Sequence, residues 1–250
     1  MPRVLNIMKQ HGRTDLKDHC YFSLKNYNEM KIKSISFKGM GYNLKILLSA
    51  ILLSSCSSKL TNLDFVKEEI ALYYESGEYN NEVNEIISES LNDFESATFD
   101  DSAVVIFDVD ETALSNYEIT KETDFGYVPE LWDKWIEDVK APAIPGVKKL
   151  YDYLIEKGSR VIFITGRKDY QYQFTFNNLI KEGYIKFDTL IVRKENEYIL
   201  GAVEFKSRKR EELTSAGYKI AGTVGDQWSD LEGSFHGIQV KIPNYLYYIE

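Results

Sequence analysis

Cysteine and histidine are scarce in this 250-residue sequence. Cysteine occurs only at Cys20 and Cys56, and beyond residue 56 the only histidine is His236. The chain after Cys56 therefore cannot depend on a disulfide framework. The same absences exclude three kinds of catalytic centre there: a histidine nucleophile with a partner histidine, a thiolate nucleophile, and a dinuclear metal site built on several imidazoles. Carboxylates remain as the candidate nucleophiles.

The apolar run near the N-terminus is too short to span a membrane as a mature helix. It comprises eight residues, Ile46–Leu53, whereas a spanning helix needs about 20. Read from Met40, the basic Lys45, the apolar run and the small residues before Cys56 follow the layout of an export signal. Residues 53–56, "LSSC", resemble a bacterial lipobox, which implies cleavage before Cys56, a lipid on its thiol and a lipoprotein anchored to a membrane of the cell envelope or periplasm.

We therefore interpret residues 1–56 as an N-terminal extension with a lipoprotein signal peptide, and residues 57–250 as the domain. A buried amphipathic helix or an uncleaved anchor is the alternative. Met1, Met30 and Met40 are all candidate starts. Without residues 1–56 the chain has 21 basic and 36 acidic residues, a net charge of about −15. This charge repels nucleic acid, so we expect no nucleic-acid polymer among the partners.

The hydrophobic pattern after residue 62 predicts strands that alternate with helices. Near-continuous apolar runs are typical of strands buried on both faces of a parallel sheet, and strands that alternate with helices favour a right-handed βαβ arrangement. The pattern predicts two helices within 63–94, interrupted near Gly77, further helices at 146–158, 170–183 and 205–217, and strands at 103–109, 160–165, 187–193 and 218–226.

Polar clusters follow three of these strands, and open parallel sheets bind ligands at that edge. The clusters are Asp108 with Asp110, Thr165 to Arg167, and Asp226 to Asp230, while Lys206 opens a later helix. We expect all of them to share one crevice.

The chemistry of such a crevice depends on its charge. A nucleophilic Asp108 would repel a phosphate charge 4 Å away by about 4 kcal/mol at an effective dielectric near 20, unless a cation intervened. Mg²⁺ prefers oxygen ligands, which Asp108 and Asp226 can supply. Asp110 lies on the same side of an extended backbone as Asp108, so it can reach the leaving-group oxygen as a general acid and base. Thr165 with its following amides, and Lys206, can donate to phosphoryl oxygens.

These motifs resemble the four-motif signature of the haloacid dehalogenase (HAD) superfamily. Within it, five segments resemble the subfamily IIIB acid phosphatases, which include bacterial lipoprotein acid phosphatases and plant vegetative storage proteins. The resemblance covers roughly residues 63–250. It rests on D-x-D-x-T at Asp108, Asp110 and Thr112, and on "FDVDETALSN", "FITGRK", "FKSRKR", "GDQWSDLEG" and "KIPNYLYYI".

The resemblance implies an α/β fold: a Rossmann-like core with a parallel sheet flanked by helices, and a small helical cap from residues 63–98 and 114–143. It also implies an acid phosphatase that hydrolyses small phosphomonoesters through a phosphoaspartate. The implied roles are Asp108 as nucleophile, Asp110 as general acid and base, Thr165, Gly166 and Lys206 as phosphate binders, Asp108, the Asp110 carbonyl and Asp226 as Mg²⁺ ligands, and Asp230 and Arg167 as supporting residues.

Several alternatives stay open. The chain could be a catalytically weak storage or binding protein of the same fold, or a phosphoacceptor switch, although export and the second carboxylate disfavour the switch. Arg167 either steadies phosphate or pairs with an acidic neighbour, and the basic run around Lys206 could be a solvated face. His236 is expected to be a loop residue. The segment between Ala113 and Ala143 is rich in aromatic side chains, which either stack on an aromatic leaving group or a nucleobase or pack a small cap against the N-terminal helices: Tyr117, Phe125, Tyr127, Trp132 and Trp135.

Overall fold

The fold is built on a five-stranded parallel sheet in a computed structural model that describes residues 60–249. The central strand forms from "AVVIF", a run whose branched residues suit a pleated surface buried on both sides. The strands are β1 (Ala103–Phe107), β2 (Arg160–Lys168), β3 (Thr189–Arg193), β4 (Lys219–Gly225) and β5 (Ile238–Lys241). The helices are α1 (Leu63–Glu75), α2 (Glu78–Glu95), α3 (Tyr117–Glu122), α4 (Pro129–Glu137), α5 (Pro145–Glu156), α6 (Tyr172–Lys181), α7 (Ala202–Ser215) and α8 (Trp228–Leu231).

The strand order is β3-β2-β1-β4-β5, with every neighbouring pair parallel. Strand β1 therefore lies in the middle, where Phe107 is in register with Phe163 of β2 and Val224 of β4. All carboxyl ends meet at one edge. The predicted α/β fold with a helix-flanked parallel sheet is confirmed, and four of the five strands were predicted.

Alternate residues of the central strands face two separate hydrophobic layers. On one face, Val105 and Phe107 pack in the cluster that contains residues of α2 and α5. On the other face, Val104 and Ile106 pack with Phe205 of α7. The sheet is thus covered on both sides, as its continuous apolar strands predict.

Glycines end the helices where the pattern predicted. Gly77 has φ +87° between α1 and α2, and Gly158 has φ +86° after α5. A left-handed residue at this position is strained for any side chain with a Cβ, so glycine is the residue that stops a helix there. The predicted helix interruption near Gly77 is confirmed by this geometry.

The assignment of residues 63–98 and 114–143 to a cap stays a prediction. Helix α2 packs against α5 and β5, and α4 contacts α3 and α6. The predicted signal segment, Cys56 and the three candidate starts lie outside the described residues. Within residues 60–249, no helix combines the length and hydrophobicity that crossing a bilayer requires.

The packing of α2 on the sheet depends on a glycine in β4. A Cβ added at Gly222 would lie 2.5 Å from Cζ of Phe94 in α2 and 3.0 Å from the carbonyl oxygen of Ile238. We therefore expect Gly222→Ala to lower the free energy of unfolding by about 1–3 kcal/mol through overpacking. Urea denaturation measures this change.

The matched control is Gly201→Ala, because a Cβ there meets nothing within 4 Å. We expect it to stay within about 0.5 kcal/mol of wild type. The double variant Gly222→Ala with Phe94→Leu should cost less than the sum of its single changes, since the shorter side chain relieves the clash. Strict additivity would contradict this packing of α2.

Candidate active site

Asp108 is the first residue after β1 and is buried beside a buried lysine. Its N–H donates to the Val224 carbonyl oxygen at 2.9 Å, which fixes its backbone on β4. The Lys206 ammonium, from α7, donates to both Asp108 Oδ1 and Asp230 Oδ1. Burial raises the pKa of Asp108 well above its usual value despite Lys206. Burial disfavours the ammonium, but its two carboxylate partners outweigh this and raise the pKa of Lys206.

Three buried carboxylates converge at this point. Ligand oxygens of Asp108, Asp226 and Asp230 all lie within 4.8 Å of one another. Burial, followed by the charge of Asp230, raises the pKa of Asp226 to about 7. Lys206 contributes one positive charge against three carboxylates, so a divalent cation would compensate the remaining negative charge. The all-oxygen donor set fits Mg²⁺, and Asp230 lies inside the cluster, although the resemblance assigned it only a supporting role.

Both oxygens of Asp226 are held by neighbouring donors. Thr112 Oγ1 donates to Oδ1 at 3.1 Å, while Gln227 Nε2 and Asn244 Nδ2 each donate to Oδ2 at 2.7 Å. Such outer hydrogen bonds fix the orientation of a carboxylate that ligates a metal. Asp226 is therefore presented to the cluster in one orientation.

Asp110 is held by a guanidinium fork. Arg167 Nη2 donates to Oδ1 at 2.7 Å, and Arg167 Nε lies 3.1 and 3.2 Å from the two oxygens. Burial alone would raise the pKa of Asp110, but the charge and hydrogen bonds of Arg167 outweigh it and hold that pKa below its usual value. Of the two predicted roles for Arg167, the structure shows the pairing with an acidic neighbour.

Asn116 also holds Asp110, and sequence reasoning missed it. Asn116 is fully buried; its Nδ2 donates to Asp110 Oδ1 at 2.9 Å, and its Oδ1 accepts from Trp135 Nε1 at 2.9 Å. Glu111, at φ +53°, accepts from the Asn116 N–H at 2.6 Å and from the Tyr247 hydroxyl. Burial and the charge of Asp110 raise the pKa of Glu111 to about 7. In the sequence, the only indication of this network is that Asp110, Glu111 and Asn116 lie within the short segment "DETALSN".

The predicted phosphate-binding residues, Thr165 and Gly166, lie in the last part of β2. The buried Thr165 Oγ1 accepts the Arg167 N–H at 3.1 Å and donates to Asp110 Oδ2 at 3.4 Å, while Gly166 lines the adjacent cavity. The structure therefore brings together Asp108, Asp110, Thr165, Gly166, Arg167, Lys206, Asp226 and Asp230. Cys56 lies outside the described residues.

A cavity of about 550 Å³ opens onto the carboxylates. Trp132 of α4 lines it, with its ring centroid 5.8 Å from that of Tyr127, whereas Trp135 is buried and bonded to Asn116. Trp132 therefore faces the cavity and Trp135 packs inward, while the stacking of an aromatic leaving group on this segment stays a prediction. His236 lies in the loop before β5, outside the cavity lining, as expected.

The basic run of α7 is not a solvated face. Only Arg208 is exposed, whereas Lys209 and Arg210 are buried like Lys206. Arg210 donates to the carbonyl oxygens of Asp230 at 2.5 Å and Ser234 at 3.0 Å, and to that of Glu232. Its guanidinium therefore fixes α8, which carries Asp230, and the loop that follows it.

Comparisons with known proteins place the chain in a family. The sequence profile of the HAD superfamily, subfamily IIIB (acid phosphatase), matches residues 33–250. Acid phosphatase 1 of Solanum lycopersicum is 34% identical over 192 residues, which cover 74% of each chain. Vegetative storage protein 1 of Arabidopsis thaliana is 36% identical over 150 residues, which cover 58% of this chain and 55% of that protein.

The fold is also similar to a solved structure. The class C acid phosphatase from Bacillus anthracis superposes with a TM-score of 0.61 at 23% identity, covering 73% of this chain and 86% of that one. At this identity the likeness concerns the fold alone. The profile match spans most of the sequence, and the chain therefore belongs to the subfamily IIIB acid phosphatases of the HAD superfamily, a family of phosphomonoesterases.

Proposed function

We propose that this chain is an exported, Mg²⁺-dependent acid phosphatase that hydrolyses small phosphomonoesters through a phosphoaspartate on Asp108. One observation carries the proposal: Asp108 lies within one carboxylate cluster with Asp226 and Asp230, is bonded to Lys206, and shares its cavity with Asp110. A nucleophile, charge compensation and a proton donor are thus available to the same phosphate.

In the first step, an Asp108 carboxylate oxygen attacks phosphorus while the bond between phosphorus and the ester oxygen breaks. Asp110 gives its proton to the departing alkoxide, which leaves as an alcohol. In the second step, water attacks phosphorus, its proton goes to Asp110, and the bond to Asp108 breaks to release phosphate. Lys206 and the amides after Thr165 hold the phosphoryl oxygens.

Asp110 needs a different protonation state in each step. The hold of Arg167 on Asp110 suits the second step, in which the carboxylate accepts a proton. The first step needs the protonated acid, which a bound phosphate favours because its negative charge opposes ionisation nearby. Asp108, Asp226 and Asp230 would hold Mg²⁺, whose positive charge lets an anionic phosphate approach an anionic nucleophile.

A storage or binding protein with little turnover is the second candidate function. It is supported by the similarity to a vegetative storage protein. The buried Asp108, paired with Lys206 beside the cavity, favours turnover because a binding role does not require that pairing.

We expect p-nitrophenyl phosphate to be hydrolysed with Mg²⁺ and not with EDTA, because the three carboxylates repel phosphate unless a cation compensates them.

Asp108→Asn should lower kcat at least about 1,000-fold. Asp110→Asn should let a phosphoenzyme accumulate, because nitrophenolate leaves without a proton but the attacking water still needs a base. Rapid acid quench followed by mass measurement detects the added phosphate.

The control is Asp152→Asn, because this exposed carboxylate pairs with Lys148 on α5 away from the cavity. It should keep the wild-type rate. Full hydrolysis by both Asp108→Asn and Asp110→Asn would reject the mechanism, and a wild-type protein without a metal-dependent rate would favour the storage function.

Asn116→Ala should affect substrates according to their leaving groups. Without its amide, Asp110 loses one of the donors that orient it, so protonation of a poor leaving group becomes less efficient. We expect kcat/KM for an alkyl phosphate to fall roughly tenfold more than that for p-nitrophenyl phosphate. Steady-state kinetics with both substrates measure the ratio.

Two further variants test whether this change of ratio depends on the contacts of Asn116. Trp135→Phe removes the donor to Asn116 Oδ1 but keeps the amide that bonds Asp110, and should change the ratio in the same direction by less. Asn177→Ala, on the exposed side of α6, should not change it. Equal losses on both substrates would mean that Asn116 supports folding or binding rather than the proton transfer.

We further propose that the lipid on Cys56 anchors the protein, since "LSSC" follows an apolar run preceded by Lys45. Cys56→Ser should then yield soluble or unprocessed protein, because no thiol is available for lipidation. Membrane fractionation with immunoblotting measures this, and Cys20→Ser is the control that should behave as wild type. Unchanged membrane association of Cys56→Ser would reject the anchor.

A further inference from the structure

Two cations of the cavity wall lie at the ends of neighbouring strands. Lys168 ends β2 and Arg193 ends β3, the two are register partners, and both line the cavity. Neither forms an ion pair with a carboxylate of residues 60–249. Within this part of the chain, the other cavity-lining cations are Arg167, paired with Asp110, and Lys206, paired with Asp108 and Asp230. Lys168 and Arg193 are therefore the two cavity-lining cations of residues 60–249 without a direct carboxylate partner, although the charge of Glu197 acts on Arg193.

Arg193 is held by several contacts beside Gly166, one of the predicted phosphate-binding residues. Its Nη1 donates to the Leu200 carbonyl oxygen at 2.7 Å, and its guanidinium lies over the Phe205 ring at 4.7 Å. Burial lowers the pKa of Arg193. A Cβ at Gly166 would lie 3.9 Å from Arg193 Nε, so this cation adjoins the end of β2 that carries the predicted phosphate-binding residues. A guanidinium that has lost part of its hydration is stabilised by an anion that accepts its hydrogen bonds in place of water.

Lys168 is the exposed member of the pair. Its ammonium lies 5.7 Å from the Tyr170 ring centroid and 5.6 Å from that of Tyr198. The Tyr198 hydroxyl donates to Asp169 Oδ1 at 2.7 Å, which fixes the ring on this wall. The nearby Asp133 is engaged by Gln171 Nε2 at 2.7 Å rather than by either cation. The Lys168 ammonium therefore lies beside the rings of Tyr170 and Tyr198 at the edge of the cavity.

The charge of the pair selects a class of anion. A phosphate monoester carries about −1.5 to −2 charge at pH 7, which matches two single positive charges better than a carboxylate does. Arginine is also well suited to phosphate because its fork can donate two parallel hydrogen bonds. The reacting phosphate already has Lys206 and the amides after Thr165, so a second phosphate is the group that this pair fits.

We propose that Lys168 and Arg193 form a second phosphate subsite, and that the preferred substrates are bisphosphates, that is, phosphomonoesters with a second phosphate group. The inference rests on the proposed function, because it requires hydrolysis at Asp108. The subsite binds the phosphate that is not being cleaved.

The test compares kcat/KM for fructose 1,6-bisphosphate with that for fructose 6-phosphate. The bisphosphate has two cleavable esters, so its kcat/KM is first divided by two. We then expect this value for wild type to exceed kcat/KM for fructose 6-phosphate at least about tenfold. Lys168→Gln, an exposed change, and Arg193→Gln should each lower that ratio by about tenfold or to unity. Arg208→Gln removes an exposed cation outside the cavity and should keep the wild-type ratio.

Each outcome supports or overturns the subsite. Equal kcat/KM values for the two substrates in wild type, or a ratio that Lys168→Gln leaves unchanged, would overturn it. A preference for 3-phosphoglycerate over glycerol 3-phosphate, with none for the bisphosphate, would also overturn it, because the second anion would then be a carboxylate. If Arg193→Gln fails to fold through loss of its bond to Leu200, Arg193→Lys and Lys168→Gln decide the question.

A binding measurement separates this inference from the proposed function. Calorimetry with fructose 1,6-bisphosphate and the Asp108→Asn variant measures affinity without turnover. Adding Lys168→Gln to that variant should weaken binding of the bisphosphate about tenfold and binding of fructose 6-phosphate much less. Hydrolysis of both sugars at equal efficiency would overturn the subsite alone, whereas absence of metal-dependent hydrolysis of either would overturn the proposed function.

Discussion

The buried ammonium of Lys206, shared by Asp108 and Asp230, is the interaction on which the site depends. It joins α7 to the end of β1 and to α8, and it is the cation paired with the carboxylate cluster among residues 60–249. Removing one partner of such a buried pair typically costs about 3–5 kcal/mol, because the remaining charge stays in the interior. The same ion pair therefore holds the fold together at this edge and sets the charge at Asp108, the proposed nucleophile.

The parallel sheet explains why residues so far apart in sequence meet. Strands β1, β2 and β4 end side by side, so Asp108, Thr165 and Asp226 reach one edge. A second layer then fixes the orientation of each group: Arg167 and Asn116 hold Asp110, while Asn244 and Gln227 hold Asp226. The strands determine which groups meet, and these side chains determine how they are oriented.

The sequence predicted what depends on local pattern. Apolar runs located β1 to β4, and polar residues at their ends located the crevice. Strand β5 was missed because it has four residues and includes the polar Gln239 and Lys241. Asn116 was missed because its partners are close in sequence but follow no helix or strand period: Asp110 is six residues before it and Trp135 is 19 residues after it. Arg210 contradicts the solvated-face reading of the basic run, since the carbonyl groups of α8 and of the loop after it compensate its burial.

The central claim is that Asp108 accepts phosphorus beside a cation held by Asp226 and Asp230. A crystal structure with Mg²⁺ and beryllium fluoride, which mimics a phosphoaspartate, tests it most directly. The account predicts beryllium bonded to an Asp108 oxygen, the metal bound within the three-carboxylate cluster, and Lys206 donating to a fluoride. Beryllium fluoride at another carboxylate, or a metal bound away from Asp108 and Asp226, would contradict it.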